Sequence, residues 1–530
     1  MSAVSTNAPD AIGRPAVAAP LAGRPTFGIW SDRYVIAALV ATLAIYLFGL
    51  DRAPLWLDEV DTANWSMLTP EQVWQTVFER KEFGRYDTRH LPLYFLIVKL
   101  WTSIAGHSSW QLRFPSVVFG LTAVAATAAF VDRIGGLRVA RTAAWLAALS
   151  PFMLHHSQEA RMYAAVGAFA AISLLFLMRY LDGADRRLGA GFVVINAAML
   201  ATHYYVVFLI AAEFALLAIF RRNQWREWLP AATVTAVLAG VLVSIAIVVT
   251  SQSSGEIYPL SWTALPGIAW AMIGGYVFLP SAEEMHANAG TAIRSYLPLA
   301  AAMGIPIAYV LWTGAKALPS RGRILVGVCL AGIFAGPFLV QLLFPRISLN
   351  PRYFMTGAPV VFALLAAGFP RYSSGAIHKA AAATIVLLML AGTAMHLKNP
   401  GEKREDIAAV GRWLDARIPV DRPILITSDE MLTLALYHWP AREFRPYPRS
   451  GRVADAIDAS SLARAFPFDG RHEAYFMVGR AWTTDAKGEL RKALVNTYRR
   501  CEGFTGRGVE VYCLLAPTDN VGSLGQTSTR

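Results

Sequence analysis

Charged residues and cysteines are scarce in this sequence. Of its 530 residues, 16% are charged and three are cysteine, whereas 55% are hydrophobic and the mean hydropathy is +0.41. The motifs GxxxxGK[ST], HExxH and CxxC are all absent, which argues against an ATP-driven pump and a zincin protease. So apolar a composition excludes an ordinary soluble enzyme and is typical of a polytopic membrane protein.

The net charge of +12 is unevenly distributed along the chain. From residue 401 onward, 19 Lys and Arg stand against 17 Asp and Glu, so most of the positive excess lies in the apolar first 400 residues. This distribution fits orientation signals beside membrane helices better than a nucleic-acid patch. We therefore expect a membrane environment and no nucleic-acid partner.

Apolar runs alternate with basic connectors in the first 400 residues. The runs approach or reach the length that crosses a bilayer, and they cover residues 34–50, 112–131, 142–156, 162–180, 189–203, 205–220, 228–250, 295–314, 324–344, 354–370 and 377–397. Every second loop is basic, and the positive-inside rule makes these loops cytoplasmic: Arg133, Arg138 and Arg141; Arg186 and Arg187; Arg221, Arg222 and Arg226; Lys316, Arg321 and Arg323; Arg371 and Lys379. About 11 spans follow, with the N-terminus inside and the C-terminus outside.

One further apolar run, 90–106, would break this alternation if it crossed the membrane. It contains Lys99, and Pro92 lies near its start. We predict that it forms a juxtamembrane helix at the outer surface, within the first external loop.

The composition divides the chain into four parts. Residues 1–32 are predicted to be a disordered cytoplasmic tail, 33–397 the membrane domain, 398–518 an external α/β domain and 519–530 a disordered tail. The first span is expected to be a retained anchor, the alternative being a cleaved signal peptide. In the external domain, IAAVGRWLDARI has helical periodicity, and PILITS and AYFMVG are short strand-like runs. Cys501 and Cys513 flank a Gly-rich turn and are either disulfide-bonded or two free thiols.

An acidic cluster follows the first span in PLWLDEVDTANWS. Asp58, Glu59 and Asp61 fall on the first external loop, and Glu159 falls on the second, so both loops face the same compartment. In a purely structural interpretation, Asp58 is the N-cap of a helix, and Arg161 anchors a helix end in the headgroup layer. In the functional interpretation, the two loops form one site.

Six motifs in fixed order resemble the GT-C glycosyltransferases, in the family that includes protein O-mannosyltransferases and the bacterial aminoarabinose and galacturonic acid transferases of lipopolysaccharide (glycosyltransferase family 39/83-like). They are PLWLDEVDTA, RHLPLYFLIVKLW, RFPSVVFGL, LSPFMLHHSQEARMYA, THYYVVFLIAAE and NPRYF, and they cover about residues 34–370. The resemblance implies a GT-C fold, a monosaccharide donor on a polyprenyl phosphate, an external active site and inversion at the anomeric carbon.

The resemblance also implies roles for the carboxylates. Asp58 matches the catalytic aspartate of the family, and a carboxylate within hydrogen-bond reach of the acceptor hydroxyl can act as general base. Glu59 is expected to share a proton, to orient the acceptor or to help Asp58 hold a divalent metal. Metal dependence varies across the superfamily, so no cofactor is assigned. Glu159 is favoured over Asp61 as the second important carboxylate.

Cationic groups are expected to stabilise the phosphate of the leaving polyprenyl phosphate. The substrate-binding residues expected from the resemblance, besides Glu159, are Arg89, His90, Arg161, Tyr163, His203, Tyr204, Arg352 and Tyr353. The chain departs from the family in having HLPL in place of HPPL or KPPL, which leaves the local backbone at His90 less defined. The alternative role of Arg346 and Arg352 is snorkelling to the membrane interface. The alternative role of His203 is to belong to an aromatic belt at that interface. Trp56 and Trp65 are expected to be interface anchors, or else to stack on a sugar.

Together these observations predict a multi-pass glycosyltransferase of the bacterial inner membrane. Its active site and C-terminal domain would be periplasmic, and its acceptor a lipid (such as lipid A), a polysaccharide, another glycolipid or a protein. One alternative is a flippase or transporter of polyprenyl-linked sugars, but the predicted spans contain few acidic residues apart from Glu213. Another is a polysaccharide ligase that uses a diphosphate-linked oligosaccharide.

Overall fold

Helices make up most of the protein. The computed structural model describes residues 27–78, 91–183, 186–252, 264–343, 349–370, 374–401, 404–427, 429–447, 473–485 and 487–515. The helices before residue 400 are α1 (Phe27–Trp30), α2 (Arg33–Leu47), α3 (Leu57–Met67), α4 (Pro70–Phe78), α5 (Leu93–Ala105), α6 (Ser109–Gly135), α7 (Leu137–Ala148), α8 (Pro151–Ser157), α9 (Tyr163–Asp182), α10 (Arg186–Leu200), α11 (Val206–Phe220), α12 (Trp225–Gln252), α13 (Ala264–Gly274), α14 (Ala282–Ala317), α15 (Ser320–Leu330), α16 (Gly336–Leu343), α17 (Ala358–Gly368) and α18 (Ala376–Lys398). A π-helical turn, Ala331–Ala335, joins α15 to α16, and a 3-10 helix, Pro351–Gly357, precedes α17.

Six of the predicted spans correspond to helices that are long and apolar enough to cross a membrane. These segments are Ser109–Gly135, Tyr163–Asp182, Arg222–Ser244, Ala287–Ala317, Ser320–Leu343 and Ala376–Lys398. The other five apolar runs form shorter or broken helices, so the number of about 11 stays a prediction. Helix α13, which is apolar but only 11 residues long, was not predicted.

The predicted span 142–156 is two helices for a local reason. The first helix ends at Ala148. Ser150 caps the second, because its hydroxyl accepts a hydrogen bond from the Met153 N–H at 3.2 Å. Pro151 then occupies the first turn of α8, where its missing N–H costs nothing. Helix α8 packs closely on α6, since a Cβ added at Gly120 would lie 2.0 Å from the Ser157 hydroxyl. This contact positions the loop that carries Glu159.

The predicted cytoplasmic connectors meet at one end of the helix bundle. Asp182, at the end of α9, pairs with Arg133 at 3.4 Å and with Arg321 at 2.7 Å. Arg221 donates to the Tyr180 carbonyl at 2.9 Å. These contacts join connectors far apart in sequence, as the alternation of basic loops requires.

Helix α5 has both of its ends at the opposite end of the bundle. The Leu93 N–H donates to the Ala201 carbonyl at 3.1 Å, and Trp101 Nε1 donates to the Gln111 carbonyl at 2.9 Å, near the start of α6. Its 13 residues span about 20 Å, too short for the hydrocarbon core. Leu96, Leu100 and Ile104 are exposed along one face, so α5 has the length and the apolar face of a helix lying on the membrane.

The N-terminal boundary differs from the prediction. Residues 27–32, predicted to be the end of a disordered tail, form α1 and the N-cap of α2. Asp32 accepts from the Tyr34 and Val35 N–H groups and pairs with Arg141. Capping and ion pairing together hold this segment. Residues 1–26 and the predicted tail 519–530 lie outside the described residues.

The C-terminal domain is α/β, as predicted. Its elements are α19 (Ile407–Arg417), β1 (Ile424–Ile426), α20 (Asp429–His438), β2 (Phe444–Pro446), β3 (Ala474–Gly479), α21 (Ala481–Thr484), α22 (Glu489–Thr497), β4 (Arg499–Arg500), β5 (Phe504–Gly506) and β6 (Val509–Leu515). The strand order is β2-β1-β3-β6-β4, with β5 also paired to β6. The first two pairings are parallel and those of β6 are antiparallel. Cys501 and Cys513 form a disulfide, whereas Cys329 is buried and free.

Candidate active site

The acidic cluster lies at the start of α3. The N-cap of this helix is Trp56, not Asp58, so the capping interpretation of Asp58 is wrong. Glu59, at the third helical position, accepts from the Trp56 N–H at 3.4 Å. Consecutive helical positions point in different directions, and the two acidic side chains therefore have different partners.

Glu59 is buried in an ion pair. Both oxygens of its carboxylate accept from Arg113, at 2.7 Å each, and Oε1 also accepts from the Ala160 N–H at 2.8 Å. The Glu59 side chain is fully buried. Burial alone would raise its pKa, but the Arg113 and Arg404 charges hold the pKa of Glu59 below its usual value. Arg113 also donates to the Leu50 and Ala53 carbonyls, so the pair ties α3 to α6 and to the end of the first span.

Asp58 faces a partly open space. Its Oδ2 lies 2.7 Å from Arg352 Nη1, and the two side chains are 19% and 23% exposed. Its main-chain carbonyl accepts from Arg161 Nη1 at 2.8 Å. Arg161 is 1% exposed, and its guanidinium lies 5.6 Å from the centre of the Phe95 ring. This burial excludes the interpretation of Arg161 as an anchor in the headgroup layer.

Glu159 lies in a second buried network. Its oxygens contact His156 Nδ1 at 3.0 Å, His155 Nε2 at 3.4 Å and Arg404 Nη2 at 2.8 Å. Burial would raise its pKa, but His155 and Arg404, together with the hydrogen bonds from both histidines, hold the pKa of Glu159 well below its usual value. The Tyr276 hydroxyl lies 3.0 Å from His156 Nε2. If Tyr276 donates this bond, Nδ1 of His156 carries the proton and donates to Glu159.

Aromatic rings line the space beside Arg352. Its guanidinium lies 5.3 Å from the Tyr163 ring and 5.4 Å from the Tyr353 ring, within cation–π range. The His203 ring contacts Tyr353 at 5.1 Å and Tyr163 at 5.9 Å, and Tyr205 contacts Tyr353 at 4.8 Å. His203 is 7% exposed, so its contacts are with this aromatic wall rather than with an interfacial belt. Tyr204 beside it is half-buried.

The residues do not fit a metal shared by Asp58 and Glu59. Arg113 engages both oxygens of Glu59, and Arg352 engages Asp58, so cations of the protein already neutralise the two carboxylates. His155, His156 and Glu159 are close enough for three-ligand binding, with ligand atoms within 4.8 Å of one another. However, the Arg404 guanidinium occupies the Glu159 oxygen on one side, and a metal ion there would have to displace it.

The structure brings most of the predicted residues together and adds others. Seven of them form one connected group of side chains at the end of the bundle opposite the basic connectors: Asp58, Glu159, Arg161, Tyr163, His203, Arg352 and Tyr353. Arg89, His90 and Arg346 lie outside the described residues. Sequence reasoning missed five residues of the two networks: Arg113, His155, His156, Tyr276 and Arg404. Arg113 and the two histidines were within the quoted motifs, whereas no local pattern marks Tyr276 or Arg404.

The two tryptophans of α3 and its N-cap are not interface anchors. Trp65 is 2% exposed and packs on Phe95, with 5.4 Å between the rings. The Arg404 guanidinium lies 5.1 Å from the centre of the Trp56 ring. Both residues therefore pack within the site region.

Comparison with known proteins identifies the fold. Residues 89–249 match the family of dolichyl-phosphate-mannose-protein mannosyltransferases. The structure is similar to that of ArnT from Cupriavidus metallidurans bound to undecaprenyl phosphate, with 14% identity, a TM-score of 0.53 and coverage of 94% of this chain and 100% of that chain. For the apo state of ArnT, the identity is 13%, the TM-score 0.55 and the coverage 91% and 97%. The Archaeoglobus fulgidus oligosaccharyltransferase is 12% identical over 92% of this chain and 74% of that chain, with a TM-score of 0.48. No curated protein sequence matches.

The fold is thus that of a multi-pass membrane enzyme with its candidate site at one end of the helix bundle. The chain has the fold of the GT-C glycosyltransferases, and residues 89–249 also match a glycosyltransferase family. The match to a mannosyltransferase family and this fold favour an enzyme that transfers sugar over the transporter interpretation.

Proposed function

We propose that this protein transfers a monosaccharide from a polyprenyl-phosphate donor to an acceptor hydroxyl on the periplasmic side of a bacterial inner membrane. The pairing of Asp58 with Arg352 is the observation that carries the proposal. It places a partly exposed carboxylate and a partly exposed guanidinium 2.7 Å apart, beside the buried side chains of Arg161, Tyr163 and His203. The Asp58 carboxylate can accept a proton from an acceptor hydroxyl, and the Arg352 guanidinium can bind a phosphate.

Asp58 is the best candidate for the general base among the three carboxylates of the site. Its side chain is 19% exposed, whereas Glu59 is 0% and Glu159 is 2% exposed. A general base must come within hydrogen-bond reach of the proton that it removes. The buried and fully engaged Glu59 cannot meet that requirement, so we assign it a positioning role in place of the predicted catalytic one.

The reaction then needs one proton acceptor and one phosphate-binding group. Asp58 takes the proton as the acceptor oxygen bonds to the anomeric carbon. The bond from that carbon to the phosphate oxygen breaks, and its electron pair stays on the phosphate, where Arg352 stabilises the added charge. Attack opposite the leaving group inverts the anomeric carbon. When the donor phosphate takes Arg352 as its partner, the Asp58 carboxylate is freed from its ion pair.

The other predicted substrate residues divide into two groups. Arg161 is buried and donates to the Asp58 carbonyl, so we assign it to positioning of Asp58 rather than to direct phosphate binding. Tyr163, His203 and Tyr353 form a wall beside Arg352 that suits the sugar or the first isoprene units of the donor. We propose that the buried Glu159 helps to hold the shape of the site and does not contact the substrate.

The family description and the matched structure support a lipid-phosphate donor. Dolichyl phosphate and undecaprenyl phosphate, which appear in their names, are both polyprenyl phosphates. For the acceptor we propose a hydroxyl group of a lipid, a glycan or a protein that reaches Asp58 from the periplasm.

Two observations support the periplasmic orientation. The basic connectors lie at the end opposite Asp58, which the positive-inside rule places in the cytoplasm. The C-terminal domain lies at the Asp58 end, because His438 Nε2 lies 2.7 Å from the Leu55 carbonyl, and it contains a disulfide, which persists in oxidising compartments.

Two measurements test the proposed function. Mass spectrometry of the surface glycolipids and glycans of a deletion strain should show the loss of one sugar mass, restored by the wild-type gene. Undecaprenyl phosphate should raise the unfolding temperature of the purified full-length protein in a saturable manner. Unchanged glycans together with no thermal shift would contradict the proposal.

A further inference from the structure

The segment between the last membrane helix and the C-terminal domain places one side chain against the buried carboxylates of the site. Arg404 follows α18 and precedes α19, and its side chain is 10% exposed. Its Nη2 lies 2.8 Å from Glu159 Oε1, and its Nη1 lies 3.6 Å from Glu59 Oε2. One guanidinium thus contacts a carboxylate of α3 and a carboxylate of the loop after α8, which are 100 residues apart in sequence.

The C-terminal domain holds the backbone of this segment. The Arg404 carbonyl accepts from Arg507 Nε at 2.9 Å, and the Gly401 carbonyl accepts from Arg507 Nη2 at 3.2 Å. The Asp406 N–H donates to the Arg507 carbonyl at 2.9 Å. Arg507 lies in the turn between β5 and β6, where Gly508 adopts a left-handed conformation with φ of +68°. The sheet of the domain therefore determines where Arg404 lies.

Charge balance shows what Arg404 does for the site. Glu59 has Arg113 as its main partner, and Arg404 is the permanent cation in contact with Glu159. The other partners of Glu159 are His155 and His156, which are cationic only when protonated. Removing Arg404 would leave the buried Glu159 carboxylate without a permanent positive partner among the residues that the structure describes. Such a carboxylate moves toward water or takes up a proton.

The consequence reaches Asp58 through the backbone. Glu159 is followed by Ala160, whose N–H binds Glu59, and by Arg161, which binds the Asp58 carbonyl. A movement of the Glu159 loop therefore shifts the two donors that orient the start of α3.

We propose that Arg404 is a positioning residue for sugar transfer, through which the C-terminal domain fixes the Glu159 loop and thereby the orientation of Asp58. This inference rests on the proposed function, in which Asp58 is the base. It gives the C-terminal domain a part in the reaction itself, because a site in the membrane domain is complete only when the domain supplies this guanidinium.

The test compares full-length variants in the deletion strain and after purification. Arg404→Ala should lower the initial rate of sugar addition at least 10-fold, whereas the dissociation constant for undecaprenyl phosphate should change by less than about 3-fold, because Arg404 is not among the contacts of Arg352. Arg404→Lys should recover part of the rate, since a lysine restores the charge but cannot contact both carboxylates in the same fork geometry. Arg417→Ala is the matched control, because it removes an arginine of the same domain from an exposed pair with Glu502.

A double variant separates positioning from a general loss of stability. If Arg404 acts through Glu159, then Arg404→Ala combined with Glu159→Gln should be no slower than the slower single variant. Multiplied rate losses, or a wild-type rate for Arg404→Ala, would overturn the inference. If Arg404→Ala does not fold, Arg507→Ala is the substitute: it keeps the Arg404 guanidinium but removes the hydrogen bonds that hold the Arg404 backbone. The transfer rate of Arg507→Ala should fall by an intermediate factor. A wild-type rate for this folded variant would also overturn the inference. Failure of the wild type to bind undecaprenyl phosphate would instead refute the proposed function.

Discussion

Replacement of Asp58 by asparagine separates its chemical role from its structural one. Asparagine has nearly the same size, and its Oδ1 can still accept the hydrogen bond that Arg352 donates at 2.7 Å. The Arg161 bond goes to the main-chain carbonyl of residue 58 and is unaffected by the substitution. Asp58→Asn therefore removes the negative charge and the basicity and leaves the local geometry in place.

The structure allows the two effects to be compared in size. The Asp58–Arg352 pair is 19% and 23% exposed, and a partly exposed ion pair contributes at most about 1 kcal/mol to folding. Loss of a general base slows a reaction by about 10²- to 10⁴-fold, which raises the barrier by about 2.7 to 5.5 kcal/mol. We expect Asp58→Asn to be folded and to transfer sugar at least 100-fold more slowly.

The assay follows the initial rate at which a single-copy gene restores the missing sugar in the deletion strain. Purified Asp58→Asn should still bind undecaprenyl phosphate and should unfold within a few degrees of the wild type. Glu71→Gln, at an exposed position of α4, is the control and should keep its rate. A wild-type rate for Asp58→Asn would refute the assignment of the base.

Four further predictions concern other parts of the protein. Arg352→Ala should weaken undecaprenyl phosphate binding about 10- to 100-fold in a thermal-shift titration, because it removes a charge-assisted contact worth about 1.5 to 3 kcal/mol; unchanged affinity would remove it from the site. Because the pKa of Glu59 is lowered in the folded protein, its stabilising contribution is present above its ordinary value of 4.5 and is lost as the pH falls below it, so the unfolding temperature of the wild type should drop more steeply in acid than that of Glu59→Gln. Cys501→Ser should cost about 2 to 3 kcal/mol of stability in the C-terminal domain, since the disulfide closes a loop with a sequence separation of 12, and equal stability would show that the bond is not needed. A reporter fused after residue 400 should be active only in the periplasm and one fused near Arg138 only in the cytoplasm; the reverse pattern would contradict the orientation.

The sequence was sufficient to predict the general organisation. Apolar run length, basic loops and the break in composition near residue 398 predicted a helical membrane domain followed by an α/β domain, because these features reflect transfer of side chains between water and lipid and need no partner. The same parity argument predicted that 90–106 does not cross the membrane, and both ends of α5 lie at one end of the bundle. Residues 27–32 were mispredicted because the contact that orders them, between Asp32 and Arg141, joins positions 109 apart.

What the sequence by itself determined is which residues could do chemistry; what the tertiary structure decided is which of them can reach a substrate. Asp58 and Glu59 are neighbours in an acidic motif and look equivalent in the sequence. The helix turns them apart, so that Glu59 is buried against Arg113 and Asp58 is partly exposed beside Arg352. Likewise, nothing near Arg404 in the sequence marks it as part of the site, since its partner Glu159 lies 245 positions away. Ion pairs between distant segments depend on how the helices and the domain pack, and the local sequence pattern does not specify that packing.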